Sequence, residues 1–205
     1  MKYRFAFFFV LAVAVMLAMA GRGQESSSPL YPLKVGSKWH YRAAEGRKVT
    51  VTVARAEQLE ILRTDPKEKK VTTQKVPGFA LEIASGGRKP LLEHVAVLPD
   101  GVYRFGFAGK QISPPLCILK LPPQKGQTWQ VDSTIGDLKV KGTFRTGEAD
   151  IVVPAGKFTC VTVFLQNEEG NTDKTVLEYY FAPKVGIVKL HAHAGNIEST
   201  IELEK

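Results

Sequence analysis

Few residues in this chain have the type and spacing to do chemistry. His191 and His193 are one residue apart, so on a strand both imidazoles share a face. Two imidazoles at that spacing ligate a metal when a third donor joins them. The other histidines are His40 and His94, and Lys189 falls on the same face, where its charge opposes a cation. No metal site is expected. Cys117 and Cys160 are the only cysteines. An oxidising compartment would permit a disulfide between them, and free buried thiols packing as small apolar groups fit equally well. Neither has a neighbouring cue for an activating partner. The sequence holds no Gly-x-Ser-x-Gly elbow, no His-Glu-x-x-His helix, no Gly-x-Gly-x-x-Gly and no phosphate loop. Ser85-Gly-Gly87 reads as a turn and Glu168-Glu169 as a solvated hairpin loop. Acid–base pairs assembled in space leave no local signature. The expectation is a non-enzyme with no catalytic residues and no cofactor.

The elements around these residues follow a period of two. Trp39 and Tyr41 alternate with Lys38, His40 and Arg42; Val49, Val51 and Val53 alternate with Lys48, Thr50 and Thr52. Phe79, Leu81 and Ile83 share a face, as do Tyr103, Phe105 and Phe107. Leu138, Val140 and Phe144 oppose Lys139, Lys141 and Arg145, and Ile197, Ile201 and Leu203 oppose polar neighbours. One apolar and one wet face per strand is the pattern of an antiparallel sheet over a single core. Turns are expected at Gly86-Gly87, Asp100-Gly101, Pro154-Ala-Gly156, Glu168–Asn171 and Gly195-Asn196. Residues 54–63 look partly helical and are read as strand. The fold class expected is all-β: a curved antiparallel meander sheet or half-barrel of about ten strands, forming a single domain over residues 31–205. Tyr31-Pro-Leu-Lys-Val-Gly-Ser-Lys-Trp39 is echoed by Leu121-Pro-Pro-Gln-Lys-Gly-Gln-Thr-Trp129. Each places a Gly turn before a strand with a large aromatic anchor, as two halves of one sheet would.

The N-terminus reads as an export signal. Lys2 and Arg4 precede the uncharged run Phe5–Leu17, and Ala18-Met-Ala20 supplies small residues for cleavage near Ala20. Residues 1–20 are thus read as a signal peptide, forming an N-terminal signal helix, with an uncleaved membrane anchor as the alternative, and residues 21–30 as a flexible lead-in. The apolar run is short for a spanning helix, and no second one follows, so no transmembrane span is expected in the mature chain. No Cys lies at the cleavage point to carry a lipid. The product is expected in the periplasm or outside the cell, as a monomer. Residues 21–110 hold 16 Lys and Arg against 9 Asp and Glu, and residues 111–205 hold 10 against 11. That asymmetry fits an anionic partner or a plain solvated surface. No basic run is interleaved with aromatics, which disfavours nucleic acid.

Three motifs occur in order: Tyr31-Pro-Leu-Lys-Val-Gly-Ser-Lys-Trp-His-Tyr41, Val153-Pro-Ala-Gly-Lys-Phe-Thr-Cys-Val161 and Tyr179-Tyr-Phe-Ala-Pro-Lys-Val-Gly-Ile-Val-Lys189. Together they resemble an uncharacterised group of secreted bacterial proteins, the TapB-like family, itself similar to the half-barrels of periplasmic lipoprotein carriers. Lys184 stands where that group commonly has Gly, Phe181 departs from its Trp-containing aromatic pair, and the lipid-bearing Cys of some members is absent. The resemblance implies a sheet wrapped around an apolar interior and no enzyme activity. On this reading the chain binds or carries an apolar or lipid-like ligand of the envelope. Trp39, Tyr41, Phe105, Phe107, Trp129 and Phe144 are the candidates to line the site, unless they simply fill the core. The alternative is a structural or partner-docking envelope protein without a small-molecule ligand.

Overall fold

The computed structural model describes residues 28–64, 70–166, 175–194 and 197–205. Twelve strands run along them: β1 (Lys38–Ala43), β2 (Lys48–Thr64), β3 (Val71–Ser85), β4 (Leu91–Leu98), β5 (Gly101–Phe107), β6 (Lys110–Lys120), β7 (Thr128–Ile135), β8 (Leu138–Val153), β9 (Gly156–Gln166), β10 (Val176–Ala182), β11 (Gly186–Ala194) and β12 (Ile197–Leu203). Each pairs antiparallel with the next, and β12 pairs with β1 to close a barrel. The closing ladder sets Tyr41 opposite Leu203, Arg42 opposite Glu202 and Ala43 opposite Ile201. The chain is therefore all-β, as the alternation requires, but a closed barrel rather than an open curved sheet or half-barrel. Alternation fixes which face of a strand is buried. It does not fix whether accumulated twist brings the first strand to the last, which depends on strand tilt and register. Residues 54–63 lie inside β2. The signal segment with Ala20 and the turns at 168–171 and 195–196 lie outside the described residues.

The echo seen in the sequence is an architectural repeat. Gly36 donates its N–H to the Val53 carbonyl at 2.9 Å, and Val53 returns one to Ser37 at 3.0 Å. Gly126 donates to Thr146 at 2.8 Å, and Thr146 returns one to Gln127 at 2.9 Å. Both glycines are left-handed, with φ of 89° and 79°. Each turn feeds a strand that pairs with a long successor: β1 with β2, β7 with β8. The barrel thus divides into β1–β6 and β7–β12. One seam is the β12–β1 ladder; the other joins β6 to β7 only at Ile112–Ile135 and Ser113–Thr134. Pro114 and Pro115, next in β6, have no N–H to extend it.

Inside, Val53, Phe79, Leu81, Val95, Val102, Leu116, Ile118, Val140, Phe144, Val163, Tyr179 and Phe181 form the main core. Leu30, Tyr31 and Leu33 join it from the segment before β1, so packed structure begins ahead of Tyr31; Ser28 and Leu30 are themselves buried. Two satellite clusters lie under the long hairpins. Ile61 and Val76 of β2–β3 cover Ala96, Leu98 and Phe105. Val153 and Cys160 of β8–β9 pack with Tyr41, Ala182, Val188 and Leu203.

Two expectations are corrected here. Tyr103, Phe105 and Phe107 do not share one face. Pairing with β4 passes from His94–Gly106 to Val95–Arg104, leaving Phe105 as the extra residue of a bulge. Tyr103 and Phe105 both pack in the β2–β3 satellite, whereas Phe107, past the bulge, turns to the core side and meets Arg104 there. A bulge leaves the sequence alternation intact while switching faces. The β4–β5 turn is Pro99-Asp100, with Gly101 already the first residue of β5. Glycine is needed there for space: a Cβ would sit 2.7 Å from the Leu119 carbonyl oxygen.

Candidate functional site

One end of the barrel is built from the segment before β1 and the β10–β11 turn. The Lys184 N–H donates to the Pro29 carbonyl at 2.7 Å, fastening the two together. Gly186 at φ 99° lets the turn pass close to Tyr31 and Pro32. The Trp39 indole N–H donates to the Val185 carbonyl at 2.7 Å, and the Tyr41 hydroxyl to the Ile187 carbonyl at 2.8 Å. Between these parts lies an open cleft of about 560 Å3, lined by Pro32, Leu33, Ser37, Trp39 and Val185 with Lys34, Lys38 and Lys184. Its size falls within the roughly 300–1,000 Å3 of small-molecule sites. Its lining combines aromatic and aliphatic side chains with the Ser37 hydroxyl and three lysines.

The aromatic candidates divide between this cleft and the core. Trp39 lines the cleft and also touches the main core and the β8–β9 satellite. Tyr41 is buried in that satellite, where burial, reinforced by Glu93, holds its hydroxyl well above the usual range. Phe107, Trp129 and Phe144 belong to the main core, Phe144 being fully enclosed. Rings run in contact from Trp129 to Phe144 (5.5 Å), Tyr179 (6.4 Å), Phe181 (5.8 Å) and Tyr31 (6.2 Å). This row occupies the interior that the carrier-like reading reserves for ligand.

Sequence inspection overlooked a charged pair within that interior. Arg104 Nε donates to the Glu93 carboxylate, its other arm donates to the Tyr179 hydroxyl at 3.0 Å, and the guanidinium lies 5.5 Å from the centre of the Phe107 ring. Burial is the largest single influence and opposes the Arg104 charge, but Glu93, Tyr179 and Tyr31 together more than offset it and hold Arg104 more firmly protonated than usual. The signal was present: Glu93 alternates with Val95 on a strand whose inward face is apolar.

No family model matches the chain, and no curated protein matches it. Two solved structures are similar to it. One is a "putative lipoprotein" from Parabacteroides distasonis, 14% identical, with 89% of this chain and 99% of that one covered at a TM-score of 0.37. The other is a "putative exported protein with YmcC-like fold" from Bacteroides fragilis, also 14% identical, with 85% and 97% covered at a TM-score of 0.39. The resemblance to the TapB-like group therefore rests on the motifs alone.

The remaining reactive groups are accounted for locally. Cys117 in β6 and Cys160 in β9 are free, buried thiols, Cys160 packed in the β8–β9 satellite. Burial pushes each thiol up to about 11. His191 Nδ1 is 2.8 Å from the Thr200 hydroxyl, and the Lys189 ammonium donates to Glu202 at 2.8 Å. Among the described residues no three His, Cys, Asp or Glu are grouped to hold a metal. None of the helices among them is long and apolar enough to cross a membrane.

Proposed function

We propose that this chain is an exported, non-catalytic envelope protein that holds an amphiphilic ligand in the cleft at the Trp39 end of the barrel. The observation carrying this reading is the cleft itself: about 560 Å3, with the Trp39 ring fixed by its bond to Val185. A ring held in place loses little freedom when a ligand packs on it. The aromatic row from Trp129 to Tyr31 favours a ligand at the barrel end over one threaded along its axis. The test is chloroform–methanol extraction of the full-length protein purified from envelopes, with titration of the stripped protein by alkyl amphiphiles. Retention or uptake of about one amphiphile per chain, lost in Trp39→Ala, is expected for a single site of this size. An extract without lipid and a flat titration would overturn the reading.

A second reading, docking to an envelope partner, draws on the β2–β3 hairpin. Among the described residues, beyond Val53 and Phe79 its strands pair only with each other. Its Leu62 and Val71 are exposed, at 68% and 57%. Such free edges and apolar side chains are where a second chain adds. Loss of a specific cross-link to envelope material in Leu62→Lys, with amphiphile uptake unchanged, would favour it.

A further inference from the structure

From the cleft's two-fold counterpart in the barrel we infer that its ligand carries an anionic, phosphate-class headgroup; this rests on the amphiphile reading above. The barrel builds the same turn twice, so the second copy shows what the turn needs in order to fold. Lys34, Lys38 and Trp39 precede and open β1; their counterparts around β7 are Gln124, Thr128 and Trp129. Lys184 lies in the β10–β11 turn that touches the first copy at Pro29. In the β4–β5 turn that touches the second copy, Asp100 accepts a bond from the Leu121 N–H at 3.1 Å. The bond to the neighbouring turn thus runs in opposite directions in the two copies, but the turn's own bonds repeat, Ser37 N–H to the Lys34 carbonyl at 2.9 Å and Gln127 N–H to the Gln124 carbonyl at 3.0 Å, with a glutamine and a threonine in place of Lys34 and Lys38. The turn's own hydrogen bonds therefore do not require lysine at positions 34 and 38.

Lys184 adds an independent observation. Its φ is 66°, in the left-handed region where a side chain other than Gly, Asn or Asp is unfavourable. Lys184 also lines the cleft, and a strained position beside a site is grounds for assigning its side chain a role there. Lysines act as point charges, and several of them around one opening suit a group with more than one charged oxygen, which phosphate presents. The floor at Pro32, Trp39 and Val185 takes the apolar part beside it.

The experiment titrates full-length, lipid-stripped protein by calorimetry with dodecyl phosphate, dodecyl maltoside and inorganic phosphate, at low and high salt. Dodecyl phosphate is expected to bind about tenfold more tightly than the maltoside, the advantage shrinking as salt screens the lysines. Lys38→Gln/Lys184→Gln should erase the advantage and leave maltoside binding. Lys184→Gly should weaken the preference while raising the melting temperature, because glycine relieves the left-handed strain; this separates lost charge from lost fold. Equal affinity for both detergents overturns the headgroup inference and leaves amphiphile binding standing. Inorganic phosphate binding as tightly as dodecyl phosphate keeps the anion site and overturns the amphiphile reading. No binding of any probe overturns both.

Discussion

Glu93 and Arg104 carry opposite charges inside an apolar barrel, with side chains only 9% and 15% exposed. Their attraction has to offset the desolvation of both, so each depends on the other. Arg104→Met alone strands a carboxylate and is expected to cost about 3–5 kcal/mol in urea unfolding. Glu93→Leu/Arg104→Met removes both charges and should recover most of that loss. The two thiols give a second residue-level test. Burial favours the neutral form and raises both from 9.0 to about 11. The sign follows: this contribution is complete below the ordinary thiol value and is lost as pH rises through about 11. At pH 8 the native protein should react slowly with an aromatic disulfide reagent. Both thiols per chain should react once it is unfolded, and a titre of zero there would mean that they had been oxidised.

At the level of strands and turns, the paired glycines are the sharpest handle. At Gly36 and Gly126 a Cβ would meet nothing within 4 Å, so only backbone strain opposes a side chain. Gly36→Ala and Gly126→Ala should each cost about 1–2 kcal/mol, and by similar amounts because the turns are copies. Gly101→Ala should cost more, since its Cβ meets backbone rather than strain alone. Denaturant midpoints compare the three. Much of this level was legible beforehand. The valines of β2, the Phe79–Ile83 face and the doubled Gly-x-x-Trp are all written as local pattern. What was not legible depends on register: the bulge at Phe105, the turn displaced to Pro99-Asp100, and the ring closure. The cleft was half legible. Trp39 declared itself by type, but Lys38 and Lys184 lie in distant stretches of sequence and meet only once β10–β11 is laid against the segment before β1.

For the whole molecule, closure is fastened by β1 and β12. Arg42 donates to Glu204 at 2.5 Å, and the Glu204 N–H donates to the His40 carbonyl at 2.7 Å. The Arg42 hydrogen bond holds the Glu204 carboxyl below its usual value. A lowered acid contributes above its unfolded value, and that contribution fades as pH falls through the folded one. The melting temperature should therefore decline toward acid pH, and less steeply in Glu204→Gln. Equal acid slopes in the two proteins would show that the seam carries no pH dependence.

The β12–β1 ladder also imposes an order of events. Its partners are almost the whole chain apart, so the ring stays open until the last strand exists and finds the first. Until then β1 offers an unpaired edge to any other strand nearby, which is the situation that breeds intermolecular pairing. Assembly dominated by such remote contacts is slow. A nascent copy of this protein therefore needs shielding for as long as its synthesis lasts.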